Sequence, residues 1–80
     1  MTDEDIQALL IEVGLDLQGA RTSRAVTQRQ LAARMNTNQG QIHSLEHAKT
    51  NMTLATLFRV YDALDMDVVI MGMKRKRSDG

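Results

Sequence analysis

Hydrophobic residues recur at three- and four-residue steps along most of the chain, a spacing that predicts amphipathic helices. The first such face consists of Ile6, Leu9, Leu10, Val13 and Leu17. Thr2 or Asp3 can cap this helix at its start, and we expect the helix to end around residues 23–25. Glycine inside a helix costs about 1 kcal/mol relative to alanine. Gly14 and Gly19 therefore predict a kink or a boundary, which we expect near Gly14.

Residues 28–47, QRQLAARMNTNQGQIHSLEH, have the pattern of two short helices joined by a tight turn. The apolar positions are Leu31, Ala32 and Met35 in the first helix and Ile42 and Leu45 in the second. A residue pair with capping-box spacing stands at the start of each helix: Thr27 with Gln30 at the first and Asn38 with Gln41 at the second. Asn36 stands in the turn, where asparagine tolerates a left-handed backbone well. The second helix keeps a polar outer side, which is typical of a helix-turn-helix whose second helix enters the DNA major groove.

Thr53 opens a further helix, whose apolar face consists of Leu54, Leu57, Phe58, Tyr61 and Leu64. The spacing then changes to two, which predicts a strand over about residues 66–71. A lone strand in a helical domain leaves its backbone groups unpaired, so we expect it to pair with the same strand of a second copy across a two-fold axis. The residues of this dimer strand are Met66, Val68, Val69, Ile70 and Met71. The alternative is a disordered apolar tail.

Size and composition indicate one small domain, residues 1–73, followed by a flexible basic tail over residues 74–80. A chain of 80 residues buries little surface, and it has no cysteine for a disulfide or a thiolate zinc site. Oligomerisation is therefore the expected source of further stability. No apolar run approaches the roughly 20 residues that span a bilayer, and no signal-peptide pattern opens the chain. We expect a cytoplasmic protein with no membrane contact.

The net charge is zero, but acidic and basic residues are separated along the chain. Residues 1–20 contain five acidic residues and no Lys or Arg. Residues 21–49 contain Glu46 as their only acid, against Arg21, Arg24, Arg29, Arg34 and Lys49. Residues 74–77 are all basic and form either an arm that reaches DNA or a solvated segment. Because the local field steers a polyanion, this distribution is compatible with DNA binding through the middle of the chain.

The polar residues do not predict an enzyme, because the sequence contains no nucleophile–base constellation, glycine-rich phosphate loop or metal-ligand set. His43 and His47 have the i, i+4 spacing of a metal pair. No cysteine or suitably placed third carboxylate accompanies them. We therefore expect neither a metal site nor a cofactor.

Many separated positions agree in register with one family. They are Gly14, Arg21, Arg24, Thr27–Gln28, Leu31–Ala32, Ile42, Leu45–Glu46 and Thr53–Leu54. On these positions residues 13–64 resemble the phage-repressor-like (XRE-type) helix-turn-helix proteins. Residues 51–70, NMTLATLFRVYDALDMDVVI, resemble more specifically the HipB-type antitoxins, in which a helix is followed by a short strand that pairs between subunits. Two features depart from the family: Asn36 holds the turn position usually held by glycine, and residues 1–12 precede the usual start as an added helix or a docking surface.

The resemblance implies a mainly α fold of four or five helices, with a short C-terminal strand that pairs across a homodimer. It implies a repressor of its own transcription unit that binds a palindromic operator in double-stranded DNA. It also implies an antitoxin that restrains a HipA-like toxin with a Ser/Thr kinase fold. A stand-alone phage-type repressor and a protein-interaction module with the same fold are the alternatives.

The resemblance also assigns roles to residues around the second short helix. Gln39 lies where the family has its main base-reading side chain, and glutamine can bond bidentately to adenine. The expected base-reading residues are Gln39, Gly40, Gln41, His43 and Ser44. The expected contacts to the DNA backbone are Gln28, Arg29, Asn38, His47, Lys49, Thr50 and Asn51. For residues 49–51 the alternative is a solvated loop. Arg21 and Glu46 occupy positions that form a structural ion pair in the resembling repressors.

Overall fold

The computed structural model describes residues 1–70 and 73–75, and this part of the chain is mainly helical, as predicted. The helices are α1 (Asp3–Ser23), α2 (Gln28–Arg34), α3 (Gln39–Glu46) and α4 (Leu54–Ala63). Two short strands follow, β1 (Val68–Ile70) and β2 (Met73–Arg75). Within the described residues, no helix combines the length and the apolar composition that crossing a bilayer requires.

Each helix begins at a short polar residue whose side-chain oxygen accepts a hydrogen bond from the backbone N–H three residues on. These N-caps are Thr2, Thr27, Asn38 and Thr53. Such caps satisfy backbone donors that have no partner inside the helix. The expected reciprocal capping box is present at Thr27, where the Gln30 side chain accepts from the Thr27 N–H at 2.8 Å. The helix starts predicted from sequence are therefore confirmed. At Asn38 the side chain accepts from the Gln41 N–H, but the reciprocal bond of a capping box is absent.

Each helix also ends in the same way, with a left-handed residue directly after the C-cap. These residues are Ala25, Asn36, Ala48 and Asp65, with φ between 54° and 61°. At the end of α1, the Ala25 N–H donates to the Thr22 carbonyl at 3.0 Å and the Val26 N–H donates to the Arg21 carbonyl at 3.2 Å. This is the Schellman arrangement, in which glycine is the usual left-handed residue. The left-handed turn expected at Asn36 is confirmed. Ala25, Ala48 and Asp65 adopt the same conformation, although none of them is glycine.

The core lies where α1, α2, α3 and α4 meet. Its buried apolar side chains are Leu17, Val26, Leu31, Ala32, Ile42, Leu45, Val60 and Leu64. Both α1 and α2 pack against α3, and α2 also contacts α4. α3 is thus held by its apolar side, and its remaining surface is left for other contacts.

Gly14 is the point of closest approach between α1 and α3. A kink or a boundary was expected at this position; α1 runs through it, so no boundary is present, and the kink stays a prediction. A Cβ atom on Gly14 would lie 2.4 Å from the Glu46 carbonyl oxygen and 3.0 Å from that of Leu45. Glycine is therefore required by the contact with the end of α3. Gly19 has no neighbouring atom within 4 Å of such a Cβ.

The predicted apolar face of α1 is buried only toward its C-terminal end. Leu17 is 1% exposed, whereas Ile6 is 44% and Leu9 47% exposed. Val13 lies between them and packs partly against the core. The N-terminal half of α1 therefore presents apolar side chains that the rest of the described chain leaves uncovered.

A hydrogen bond joins α1 to α4, because the Tyr61 hydroxyl donates to the Asp16 carboxylate at 2.9 Å. Burial, this hydrogen bond and the charge of Asp16 together raise the pKa of Tyr61 to about 12. The phenol therefore keeps its proton, and with it the bond to α1, throughout the neutral range.

β1 pairs antiparallel with β2 of the same chain, with Val68 opposite Arg75, Val69 opposite Lys74 and Ile70 opposite Met73. β1 begins at Val68, two residues after the predicted start at Met66, and Met71 lies outside the described residues. Lys74 and Arg75, which were assigned to the flexible tail, belong to β2, and residues 76–80 lie outside the described part. Because β2 supplies a partner for β1, the lack of one no longer argues for a dimer. Pairing between two copies stays a prediction.

Candidate nucleic-acid interface

α3 has one buried side and one outward polar side. Ile42 and Leu45 fill the core, and Glu46 is buried beside them. Four of the predicted base-reading residues, Gln39, Gly40, Gln41 and His43, are exposed, and Ser44 is half-buried. Since Asn38 caps this helix from its own side chain, the first turn is ordered around Gln39.

Arg21 of α1 and Glu46 of α3 form the ion pair that the resemblance implies. The Arg21 Nε donates to Glu46 Oε2 at 2.6 Å, and Nη2 donates to Oε1 at 3.0 Å. The third guanidinium nitrogen, Nη1, donates to the Val26 carbonyl at 2.9 Å. Arg21 is 8% exposed and Glu46 3%, so both charges are buried and each is matched. The parallel bonds tie the end of α1 to the end of α3 with a fixed geometry.

The ion pair keeps Glu46 in its charged form. Burial alone would raise the pKa of this carboxyl, but hydrogen bonds from Arg21 and Gln28, together with the Arg21 charge, hold the pKa below its ordinary value. A charged carboxylate only accepts hydrogen bonds. Glu46 is therefore a fixed acceptor at the C-terminal end of α3.

A line of side-chain hydrogen bonds runs from Glu46 to the exposed first turn of α3. The Gln28 Nε2 donates to Glu46 Oε1 at 3.1 Å, and the Gln39 Nε2 donates to Gln28 Oε1 at 3.2 Å. At the outer end, the Arg29 Nε donates to Gln39 Oε1 at 3.1 Å. The spacing of these residues in sequence gave no sign of the contacts, because they join side chains ten or more positions apart. Gln39, the main predicted base reader, is thus held on two sides before any ligand binds.

The residues predicted to contact the DNA backbone have different environments. Arg29, Asn38, His47, Lys49 and Asn51 are exposed, whereas Gln28 and Thr50 are half-buried. Gln28 and Arg29 bond to Gln39, and Asn38 caps α3, so these three have structural contacts of their own. Direct contact with phosphate stays a prediction for all seven.

The ring of His43 in α3 stacks on the ring of His47, the C-cap residue one turn further on. Their ring centroids are 4.1 Å apart and their planes differ by 24°. The His47 Nδ1 lies 2.9 Å from the His43 carbonyl oxygen, so this nitrogen faces the helix backbone. Within the described residues, no three His, Cys, Asp or Glu side chains lie close enough together to hold a metal ion.

The segment that contains α2 and α3 is basic. Glu46 is the only acid in residues 21–51, and it is buried against Arg21. The exposed cations of this segment are Arg24, Arg29, Arg34 and Lys49. Of these, Arg29 bonds to Gln39 of α3 and Lys49 follows shortly after the end of α3, so two positive charges lie near this helix. Positive charge attracts a polyanion.

No protein-family model matches this chain, and no curated protein matches it significantly.

Proposed function

We propose that the protein binds double-stranded DNA sequence-specifically, with α3 in the major groove and Gln39 reading a base, and that it represses transcription. The observation that carries the proposal is the position of Gln39. It is exposed in the first turn of α3 and held by Gln28 and Arg29, on a helix whose other side is locked into the core. A major groove admits a helix presented in this way, and an oriented amide can read a base edge.

The positive charges of Arg29 and Lys49 support the same proposal. Phosphate contacts position a protein on DNA and supply most of the sequence-independent affinity. Arg29 and Lys49 are exposed in this segment, and the segment's only acid is buried.

The proposal includes a homodimer on a palindromic operator. A two-stranded hairpin is marginally stable alone, and β1 with β2 is such a hairpin. Pairing with the hairpin of a second copy would enlarge this two-stranded sheet and would bring two α3 helices together for two half-sites.

The proposal also includes the antitoxin role, in which the dimer binds a HipA-like toxin with a Ser/Thr kinase fold. This step rests on the resemblance of residues 51–70 to HipB-type antitoxins. The exposed apolar side chains Ile6 and Leu9 are compatible with a protein partner. The same side chains favour the second candidate function, a protein-interaction module that does not read DNA.

Selection of binding sites from random DNA duplexes tests the DNA proposal. We expect a palindromic consensus, confirmed by gel shift against the DNA upstream of the protein's own gene. Gln39→Ala should weaken consensus binding about 5- to 100-fold, as expected for loss of a good base contact. Gln18→Ala is the matched control, since Gln18 lies on α1 and is not among the predicted DNA contacts. Binding with no sequence preference, or an unchanged affinity of Gln39→Ala, would contradict the proposal.

Purification of the tagged protein from its native host tests the antitoxin role. Mass spectrometry should identify a co-eluting protein with a kinase fold. A homodimer that elutes alone but binds its operator would favour the stand-alone repressor. A protein complex without operator binding would favour the interaction module.

A further inference from the structure

The geometry points to Arg29 and Glu46 as the residues that set the orientation of the Gln39 amide, and through it the base that α3 reads. This inference rests on the proposed function. It makes Arg29 a positioning residue for base recognition, beyond the phosphate contact predicted for it.

The side-chain amide of a glutamine has a defined orientation only where neighbouring groups fix it. Rotation by 180° exchanges the oxygen and the nitrogen with almost no change in shape, so only the hydrogen-bonding partners distinguish the two states. A freely rotating Gln39 would offer either a donor or an acceptor to the same base atom. Its selectivity would then be weak.

Glu46 determines the orientation of the first amide in the line. Its charged carboxylate only accepts, so Gln28 must direct its NH2 group toward Glu46, with the donor and acceptor 3.1 Å apart. The Gln28 oxygen then points to Gln39 and accepts from it at 3.2 Å. The buried ion pair is thus connected to the exposed turn through one amide.

Arg29 determines the same orientation from the opposite end. A guanidinium only donates, and the Arg29 Nε faces the Gln39 oxygen at 3.1 Å. A reversed Gln39 amide would place two donors together at Arg29 and two acceptors together at Gln28. Because an acceptor-only group and a donor-only group terminate the line, both amides between them have one favourable orientation.

The remaining hydrogen-bonding capacity of Gln39 matches adenine. A glutamine amide has two N–H donors and two acceptor lone pairs. Gln28 and Arg29 use one of each, which leaves one donor and one acceptor for a ligand. Adenine offers an acceptor at N7 and a donor at N6 on its major-groove edge, whereas guanine offers two acceptors. The fixed amide therefore favours adenine over guanine.

Arg29→Met tests the inference, because methionine keeps most of the side-chain length and removes the donor. The measurement is the ratio of affinities for the selected duplex and for duplexes with guanine at the position read by Gln39. We expect this ratio to fall about 5- to 10-fold. Arg24→Met is the matched control, since it removes the same charge from a residue that bonds to the Ala20 carbonyl. It should weaken binding to all duplexes alike and leave the ratio unchanged.

Hydrogen exchange of the Arg29 Nε–H, followed by NMR in the free protein, gives a readout that needs no DNA. Gln39→Ala should speed this exchange severalfold by removing the acceptor. A wild-type protein that selects no sequence would overturn the proposed function, while the exchange data would still test the line of hydrogen bonds. A wild-type protein that prefers adenine, with equal ratios for Arg29→Met and Arg24→Met, would overturn this inference alone.

Discussion

The two halves of α1 have similar amphipathic patterns but very different environments. In the C-terminal half, Leu17 and Arg21 are buried and Gly14 touches the backbone of α3. In the N-terminal half, Ile6 and Leu9 remain nearly half exposed. Periodicity shows which side of a helix is apolar, but the length of the neighbouring elements decides how much of that side is covered. The C-terminal half builds the proposed DNA-binding unit, and the N-terminal half extends beyond it.

Removal of a carboxylate should produce the largest difference in stability between the buried ion pair and the exposed side of α1. Glu46→Ala leaves Arg21 buried without its partner, so we expect a loss of about 3–5 kcal/mol in the free energy of unfolding. Glu12→Ala, on the exposed side of α1, should change it by less than about 0.5 kcal/mol. Urea unfolding followed by circular dichroism measures both.

The double variant Arg21→Ala, Glu46→Ala sharpens this test. It removes both charges and should lose less stability than the two single variants together. If the changes in the free energy of unfolding of the two single variants add up to that of the double variant, the two side chains do not stabilise the fold as a pair.

The contribution of Glu46 should depend on pH. Its pKa in the folded protein is below the ordinary value of 4.5, so its charged form is favoured by folding. This stabilisation is present above pH 4.5 and is lost as the pH falls through the lower folded pKa. The stability difference between wild type and Glu46→Ala should therefore shrink on acidification. A constant difference down to the acid unfolding range would contradict the assigned pairing.

Truncation of a leucine in each half tests the burial difference directly. Leu17→Ala should cost about 2–5 kcal/mol, because it opens a cavity in the core. Leu9→Ala should cost less than about 1 kcal/mol, because Leu9 is 47% exposed already in the monomer. Equal losses in dilute solution would show that the N-terminal half is covered, as it would be in a dimer that uses this face.

Substitution of the two glycines of α1 by alanine should change stability in opposite directions, by less than the leucine truncation in the core. Gly14→Ala places a Cβ against backbone oxygens that cannot move aside like a flexible side chain, so we expect a loss of about 1–3 kcal/mol. Gly19→Ala meets no atom within 4 Å and should gain up to about 1 kcal/mol from helix propensity. Thermal unfolding of both variants gives the comparison, and shifts of the same sign would contradict the close approach at Gly14.

Local signals predicted well what depends on neighbouring residues. The cap at Thr27 was evident because Gln30 stands three positions on, and the left-handed turn was evident at Asn36. The contact at Gly14 was not evident from the sequence, because it depends on where the end of α3 lies in space. Likewise, the bond between Arg29 and Gln39 joins α2 to α3 through side-chain positions that periodicity does not specify.

The smallest effect concerns the left-handed residue that ends α1. Ala25 has φ 56°, a conformation that costs an L-residue about 1–2 kcal/mol, while glycine adopts it freely at an entropic cost of about 0.5–1 kcal/mol. Ala25→Gly should therefore stabilise the protein by about 0.5–1 kcal/mol. Ala8→Gly, within the exposed N-terminal half, should instead destabilise it by up to about 1 kcal/mol. If the urea midpoints of the two variants move in opposite directions, the effect of an alanine-to-glycine substitution depends on the backbone conformation at that position. A loss of stability in both variants would place Ala25 outside the left-handed region.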